Sequence, residues 1–151
     1  MPYTSEYPIF AVTADVVLFT GTGEDLRVLL IRRGRPPFQG LLALPGGFVD
    51  IDEDLPTAAL RELEEETGVV GVEVRQLGAY GAPSRDPRGR TVGIAFWGLL
   101  EREVPVRAGD DAAAAGWFAV RDLLDVPDPA ERLAFDHARI LTDARDRAVA
   151  G

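Results

Sequence analysis

Three carboxylates, Glu62, Glu65 and Glu66, are the side chains whose types and spacing best suit chemistry. On a helix they stand at i, i+3 and i+4, about a third of the circumference wide and one turn tall. Like charges so arranged repel by roughly 0.2–0.5 kcal/mol per pair, so water or a cation must offset them. The chain has no cysteine and a single histidine. Oxygen donors without sulfur or imidazole suit a hard cation, Mg²⁺ with Mn²⁺ as a substitute. Three glutamates alone are also the ordinary composition of a solvated acidic helix face. Glu64 falls on nearly the opposite side and is expected in solvent, while Leu60 and Leu63 are expected to face the core.

The residues framing the carboxylates decide between these readings. From Gly47 to Val69 the chain fits G-x5-E-x7-R-E-U-x-E-E-x-G-U, where U is aliphatic, through Gly47, Glu53, Arg61, Glu62, Leu63, Glu65, Glu66, Gly68 and Val69. A chance match to so many fixed positions is on the order of one in a million at ordinary residue frequencies. This segment resembles the Nudix box, and the chain resembles the Nudix hydrolase superfamily. The resemblance implies an α/β/α sandwich with a mixed β-sheet between helices, and Mg²⁺-dependent hydrolysis of a nucleoside diphosphate linked to another group. It implies that Glu62, Glu65 and Glu66 bind the metal, joined by the backbone carbonyl of Gly46, and that Glu53 and Arg61 brace the loop against the helix. A divalent cation would neutralise the diphosphate and acidify a bound water, and glycines 46 and 47 allow close backbone approach.

The box does not name the substrate. Pro83, fifteen residues after Gly68, resembles the downstream proline of ADP-ribose pyrophosphatases. The segment Ser84-Arg85-Asp86-Pro87-Arg88-Gly89-Arg90 resembles one found in that branch and in NAD metabolism. Its three arginines and Asp86 together suit a diphosphate or ribose hydroxyls, although Arg85 and Arg90 serve equally well as scaffold. Arg33 ends a strand near the glycine turn and Phe38 lies in a Pro-rich loop, so either is a candidate substrate contact. Asp110 and Asp111 resemble a late loop that brings an acid to the metal, so they join Glu65 as candidate general bases. Leu42 replaces a tryptophan usual before the Leu-Pro-Gly-Gly turn, which alters the expected pocket wall. The expected reaction takes ADP-ribose to AMP and ribose 5-phosphate. The alternatives are a house-cleaning MutT-type nucleoside triphosphate pyrophosphohydrolase, and an ADP-ribose sensor related to Nudix transcriptional regulators. The resemblance also suggests a homodimer.

The elements that must position these groups follow from pattern. Residues 9–20 and 26–33 read as strands of a hairpin, 34–40 as a loop, and 41–44 as a short apolar run. Residues 54–67 form the clearest helix, with acids before it and Gly68 to stop it. Strands are expected at 72–80, 91–101 and 116–120, and an amphipathic helix over 129–149 with Leu133, His137, Ile140, Leu141 and Ala144 on one face. His137 is expected to be packed or capping, and Trp97 and Trp117 to lie in the core. The 151 residues suit one domain, 1–151. All 16 basic residues are arginine, which excludes Schiff-base chemistry and a Walker lysine. The net charge of −9 opposes a nucleic-acid partner. Met1–Pro8 carries no secretory pattern, so a cytoplasmic location is expected. No room is expected after the last helix for a DNA-reading module.

Overall fold

The computed structural model describes residues 4–109 and 112–150. Its centre is β1 (Ala11–Thr20), buried from Thr13 to Thr20. β1 pairs in parallel with β6 (Thr91–Leu100) along its whole length, and β5 (Arg75–Tyr80) adds antiparallel to the far side of β6. Alternation then divides the core. Ala14, Val16 and Leu18 pack beneath α1 (Leu55–Thr67) with Ala58, Ala59 and Leu63. Val17 and Phe19 point the other way, towards Ile140, Leu141 and Ala144 of α3 (His137–Ala150). The result is helix, mixed sheet, helix, the expected α/β/α sandwich.

The expected 9–33 hairpin is largely open. β1 and β2 (Arg27–Arg33) pair only beside their turn, through Phe19 with Val28 and Thr20 with Arg27. Beyond that they diverge, and the segment carrying β3 (Leu42–Ala43) and β4 (Gly46–Phe48) fills the gap. β3 pairs with β2, and β4 pairs with β1. The glycine turn is thus a strand wedged into the sheet, with Gly46 opposite Asp15. β7 (Ala112–Ala119) covers the outer edge of β2 and begins earlier than its composition suggests. Alanine is a weak strand former, and pairing with β2 overrides that preference.

α1 has the boundaries its sequence promises. The Asp54 carboxylate accepts from Leu55 N–H at 2.8 Å, and Gly68 closes the helix with φ +78°, donating to Glu64 O at 2.8 Å. Leu63 is fully buried, whereas Leu60 is 38% exposed and does not join the core as expected. The C-terminal stretch is broken. A short helix α2 (Val120–Leu124) follows β7, Pro129–Glu131 make one 3₁₀ turn, and α3 starts only at His137. Leu133 still reaches the core, from the connection rather than from a helix. Phe135 lies at φ +52° just before α3, a conformation that costs a bulky residue energy and interrupts any helix there. Among the described residues no helix is long and apolar enough to cross a membrane.

Candidate active site

The divergence of β1 and β2 leaves a cavity of about 530 Å³, a size suited to a nucleotide-sized ligand. Glu62 and Glu66 of α1 reach one wall, Arg85, Asp86 and Arg88 another, and Phe135 and His137 a third. The glycines of β4 make the first approach possible. A Cβ on Gly47 would stand 2.6 Å from the Glu62 carboxylate and would displace it, so glycine lets that carboxylate come this close. Gly46 N–H donates to Glu66 Oε2 at 3.2 Å.

Arg61 organises the helix carboxylates. Its Nε and Nη2 meet the two Glu53 oxygens at 2.6 and 2.8 Å, a fork-to-fork pair. Nη2 also donates to Phe48 O at 3.1 Å, tying α1 to β4, while Nη1 donates to Glu62 at 2.8 Å and Glu65 at 3.2 Å. The hydrogen bonds from Arg61 hold the Glu53 carboxyl below its usual range, and Glu53 in turn raises the Arg61 pKa. Glu62 and Glu66 are pushed the other way. Burial raises both, Glu66 to about 8, with Glu62 and Asp15 adding repulsion at Glu66 that the Gly46 hydrogen bond only partly relieves. Carboxylates held near one another without enough positive charge are suited to a cation.

The helix carboxylates are divided between two depressions. Glu65 does not line the main cavity, but it shares a second depression with Glu62 and Glu66. Arg61 Nη1 holds its carboxylate beside that of Glu62, with the Glu65 side chain 59% exposed. The second depression is lined by all three of these glutamates, with Arg107, Ala108 and Gly109 opposite. Glu64 borders that depression too, rather than the opposite face, though it stays exposed. Among the described residues no three carboxylates form a complete cation cage. Two carboxylates supplemented by water and substrate phosphates are nonetheless an ordinary magnesium environment, and the all-oxygen pair at Glu62 and Glu66 fits it. Asp110 and Asp111 lie outside the described residues.

The substrate candidates separate as well. Arg33, Arg85, Asp86 and Arg88 line the cavity. Arg88 pairs with the buried Asp86 at 2.8 Å and lies over the rings of Phe48 and Phe135, 5.0 and 5.4 Å from their centroids. Burial opposes the Asp86 charge, but its hydrogen bonds from Arg88 prevail and keep its pKa low. Arg33 donates to Pro37 O at 2.7 Å and also stacks on Phe135. Burial and the neighbouring Arg88 lower its pKa. Pro83, Phe38 and Arg90 do not line the cavity. Pro83 is exposed at the loop surface. Phe38 packs edge-on against Phe135, with centroids 4.8 Å apart, and Arg90 binds Gly81 O and covers Phe10.

Several cavity residues were missed by sequence reasoning, four of them of chemical interest. Asp15 and Thr13 rise from β1, and Phe48 and Phe135 supply aromatic walls. It also missed Asp136, whose two oxygens clamp Arg85 Nε and Nη2 at 2.8 and 2.7 Å. Burial works against the Arg85 charge, yet Asp136 raises its pKa. The one signal for Asp15 was a lone carboxylate inside an otherwise apolar strand. His137 is packed as expected: its Nδ1 accepts from Leu44 N–H at 3.0 Å, and burial lowers its pKa to about 3. Trp97 is buried with its indole N–H unpartnered, while Trp117 is half-buried and donates to Val104 O.

The NUDIX domain model matches residues 9–144. The chain belongs to the Nudix family. Known Nudix relatives share most of its length. An ADP-ribose pyrophosphatase of Methanocaldococcus jannaschii is 43% identical over 121 residues, covering 80% of this chain and 66% of that protein. The ADPR responsive transcriptional repressor NtrR of Acinetobacter baylyi is 32% identical over 142 residues, covering 93% of this chain and 55% of that protein. This chain therefore spans only part of the length of these curated relatives. The NUDIX domain of Shewanella oneidensis NrtR, solved in complex with ADP ribose, superposes with a TM-score of 0.83 at 36% identity, covering 94% of this chain and 90% of that one.

Proposed function

We propose that this Nudix domain, acting as one unit, hydrolyses ADP-ribose to AMP and ribose 5-phosphate with Mg²⁺, Mn²⁺ serving as a substitute. The observation that carries the reading is the meeting of Glu62 and Glu66 with Arg33, Arg85 and Arg88 around one nucleotide-sized cavity. The similarity to an ADP-ribose pyrophosphatase and to an ADP-ribose complex supports the choice of substrate. A cytoplasmic homodimer is the setting we propose, as the family resemblance suggests.

Glu62 and Glu66, with the Gly46 carbonyl, would hold the divalent cation, whose charge offsets the diphosphate and makes a bound water more acidic. Arg61 and Glu53 keep α1 and β4 in fixed relation, so the two carboxylates arrive preorganised. Cavity arginines neutralise the diphosphate oxygens and hold the scissile bridge near the carboxylates. Glu65, exposed beside Arg61, and Asp110 and Asp111 are the candidates to take the proton from the attacking water.

The similarity to NtrR and NrtR favours a second reading, an ADP-ribose sensor without turnover. A panel of ADP-ribose, nucleoside triphosphates and other dinucleotides, incubated with Mg²⁺, separates the possibilities. Release of AMP from ADP-ribose supports the proposal. Pyrophosphate release from triphosphates in preference supports a MutT-type enzyme, and tight binding of ADP-ribose without products supports a sensor.

A further inference from the structure

The sheet floor of the cavity carries polar groups that the fold does not use. Asp15 is only 6% exposed and Thr13 only 7%, and both line the cavity. They lie at i and i+2 of β1, hence on one face. Neither side chain makes a hydrogen bond within the described chain, although every other buried carboxylate here has one. Asp86, for comparison, accepts three hydrogen bonds from Arg88. Polar groups in such a setting are ordinarily met by protein, ordered water or ligand. A carboxylate kept in an apolar strand with no internal donor, and open to a cavity, is matched to a donor that arrives from outside.

The surroundings narrow what that donor is. Thr13 pairs with Gly93 of β6, and Asp15 with Ala95. The missing side chain at Gly93 is replaced by the Arg85 guanidinium, which lies 3.0 Å from where a Cβ would stand. Asp136 takes Nε and Nη2 of that guanidinium, and Nη1 makes no hydrogen bond in the described chain. The floor therefore presents a carboxylate acceptor, a hydroxyl able to give or accept, and one N–H donor. A fully ionised phosphate brings no hydrogen for Asp15 to accept. Adjacent hydroxyls of a sugar give and accept together, and satisfy all three groups.

We infer that Asp15, with Thr13 and Arg85 Nη1, forms a hydroxyl-binding floor that selects substrates bearing a pentose on the far side of the diphosphate. This rests on the cavity being a nucleoside diphosphate site, as proposed above, and assigns specificity to residues outside the box. Asp15 acts here as a hydrogen-bond acceptor for substrate and takes no part in the displacement.

The test is calorimetric binding, with Mg²⁺, of the non-hydrolysable α,β-methylene analogues of ADP-ribose and of ADP, which differ by the terminal sugar phosphoester. Wild type is expected to bind the sugar-bearing analogue at least tenfold more tightly. Asp15→Ala is expected to abolish most of that preference and leave the affinity for the ADP analogue within about twofold. Thr13→Val, nearly isosteric, is expected to reduce the preference several-fold, and it carries the test if Asp15→Ala does not fold. Equal loss of both ligands would place Asp15 at the phosphates or metal instead and overturn the inference, as would an unchanged preference in the folded variant. Its failure is distinguishable from that of the activity. Wild type that turns over ADP-ribose yet shows no preference between the analogues refutes the floor alone, whereas a preference without turnover refutes the enzyme alone.

Discussion

Removing the Asp136 carboxylate is expected to cost more stability than any change at the exposed acids. Asp136 clamps Arg85 with two hydrogen bonds of 2.8 and 2.7 Å, and the Arg85 side chain is only 4% exposed. In Asp136→Ala the guanidinium stays buried with its main counter-charge gone. Breaking a buried pair from one side typically costs about 3–5 kcal/mol. Asp136 is itself 22% exposed, and Asp15 and Asp86 remain near enough to favour the Arg85 charge, so the expectation falls to about 2–4 kcal/mol. At this chain length each kcal/mol moves the melting temperature by about 2–4 °C, so the variant should melt roughly 5–15 °C lower. Thermal unfolding followed by circular dichroism reads this directly. The double variant Arg85→Met, Asp136→Leu should recover much of the loss, because no unpaired charge is left behind. A shift below 2 °C in Asp136→Ala, or a double variant as unstable as the sum of the singles, would refute the reasoning.

Other changes test the site itself. Gly47→Ala places a Cβ 2.6 Å from the Glu62 carboxylate, so Mg²⁺-dependent turnover should fall at least tenfold while the melting temperature moves by only a few degrees. Glu66→Gln should lower turnover on the order of 100-fold, and Glu64→Gln, exposed and outside the main cavity, should stay within about twofold. Steady-state rates on ADP-ribose compare the two, and a damaging Glu64→Gln would contradict the assignment of the carboxylates. His137, the one histidine, has its folded pKa lowered to about 3 against 6.5 when free. The unfolded chain therefore takes up the proton first, so this group's stability contribution is full above about 6.5 and is lost as pH falls towards 3. Its imidazole C–H resonances in the folded protein should stay constant from pH 8 to 5, and a midpoint near 6.5 would contradict its burial.

The box and its helix were legible because local chemistry fixes them. Asp54 and Gly68 cap α1 by contacts within a few residues, and Arg61 reaches Glu53 across a single loop. The strands of the central sheet were legible from their apolar runs, but their partners were not. That β1 would leave β2 to join β6 in parallel depends on non-local pairing, which no window of sequence displays. The break before α3 was hidden for a similar reason. Phe135 is held at positive φ by a tertiary setting of Phe38, Arg33 and Arg88, and 129–149 remains amphipathic when read as one helix. The same fold distance hid Asp136 from Arg85, fifty-one residues away. The sharing of Arg61 Nη1 between Glu62 and Glu65 was equally hidden, because periodicity reports the direction of a side chain from the helix axis and not its partners.

The most direct test of a Mg²⁺-dependent diphosphate hydrolase built on Glu62 and Glu66 is ADP-ribose incubated in ¹⁸O-water with and without the metal, read by mass spectrometry. The expected result is AMP and ribose 5-phosphate, one of them carrying a single ¹⁸O, formed only with the cation and nearly absent in Glu66→Gln. Intact ADP-ribose after prolonged incubation with Mg²⁺ or Mn²⁺, or equal product from wild type and Glu66→Gln, would contradict it.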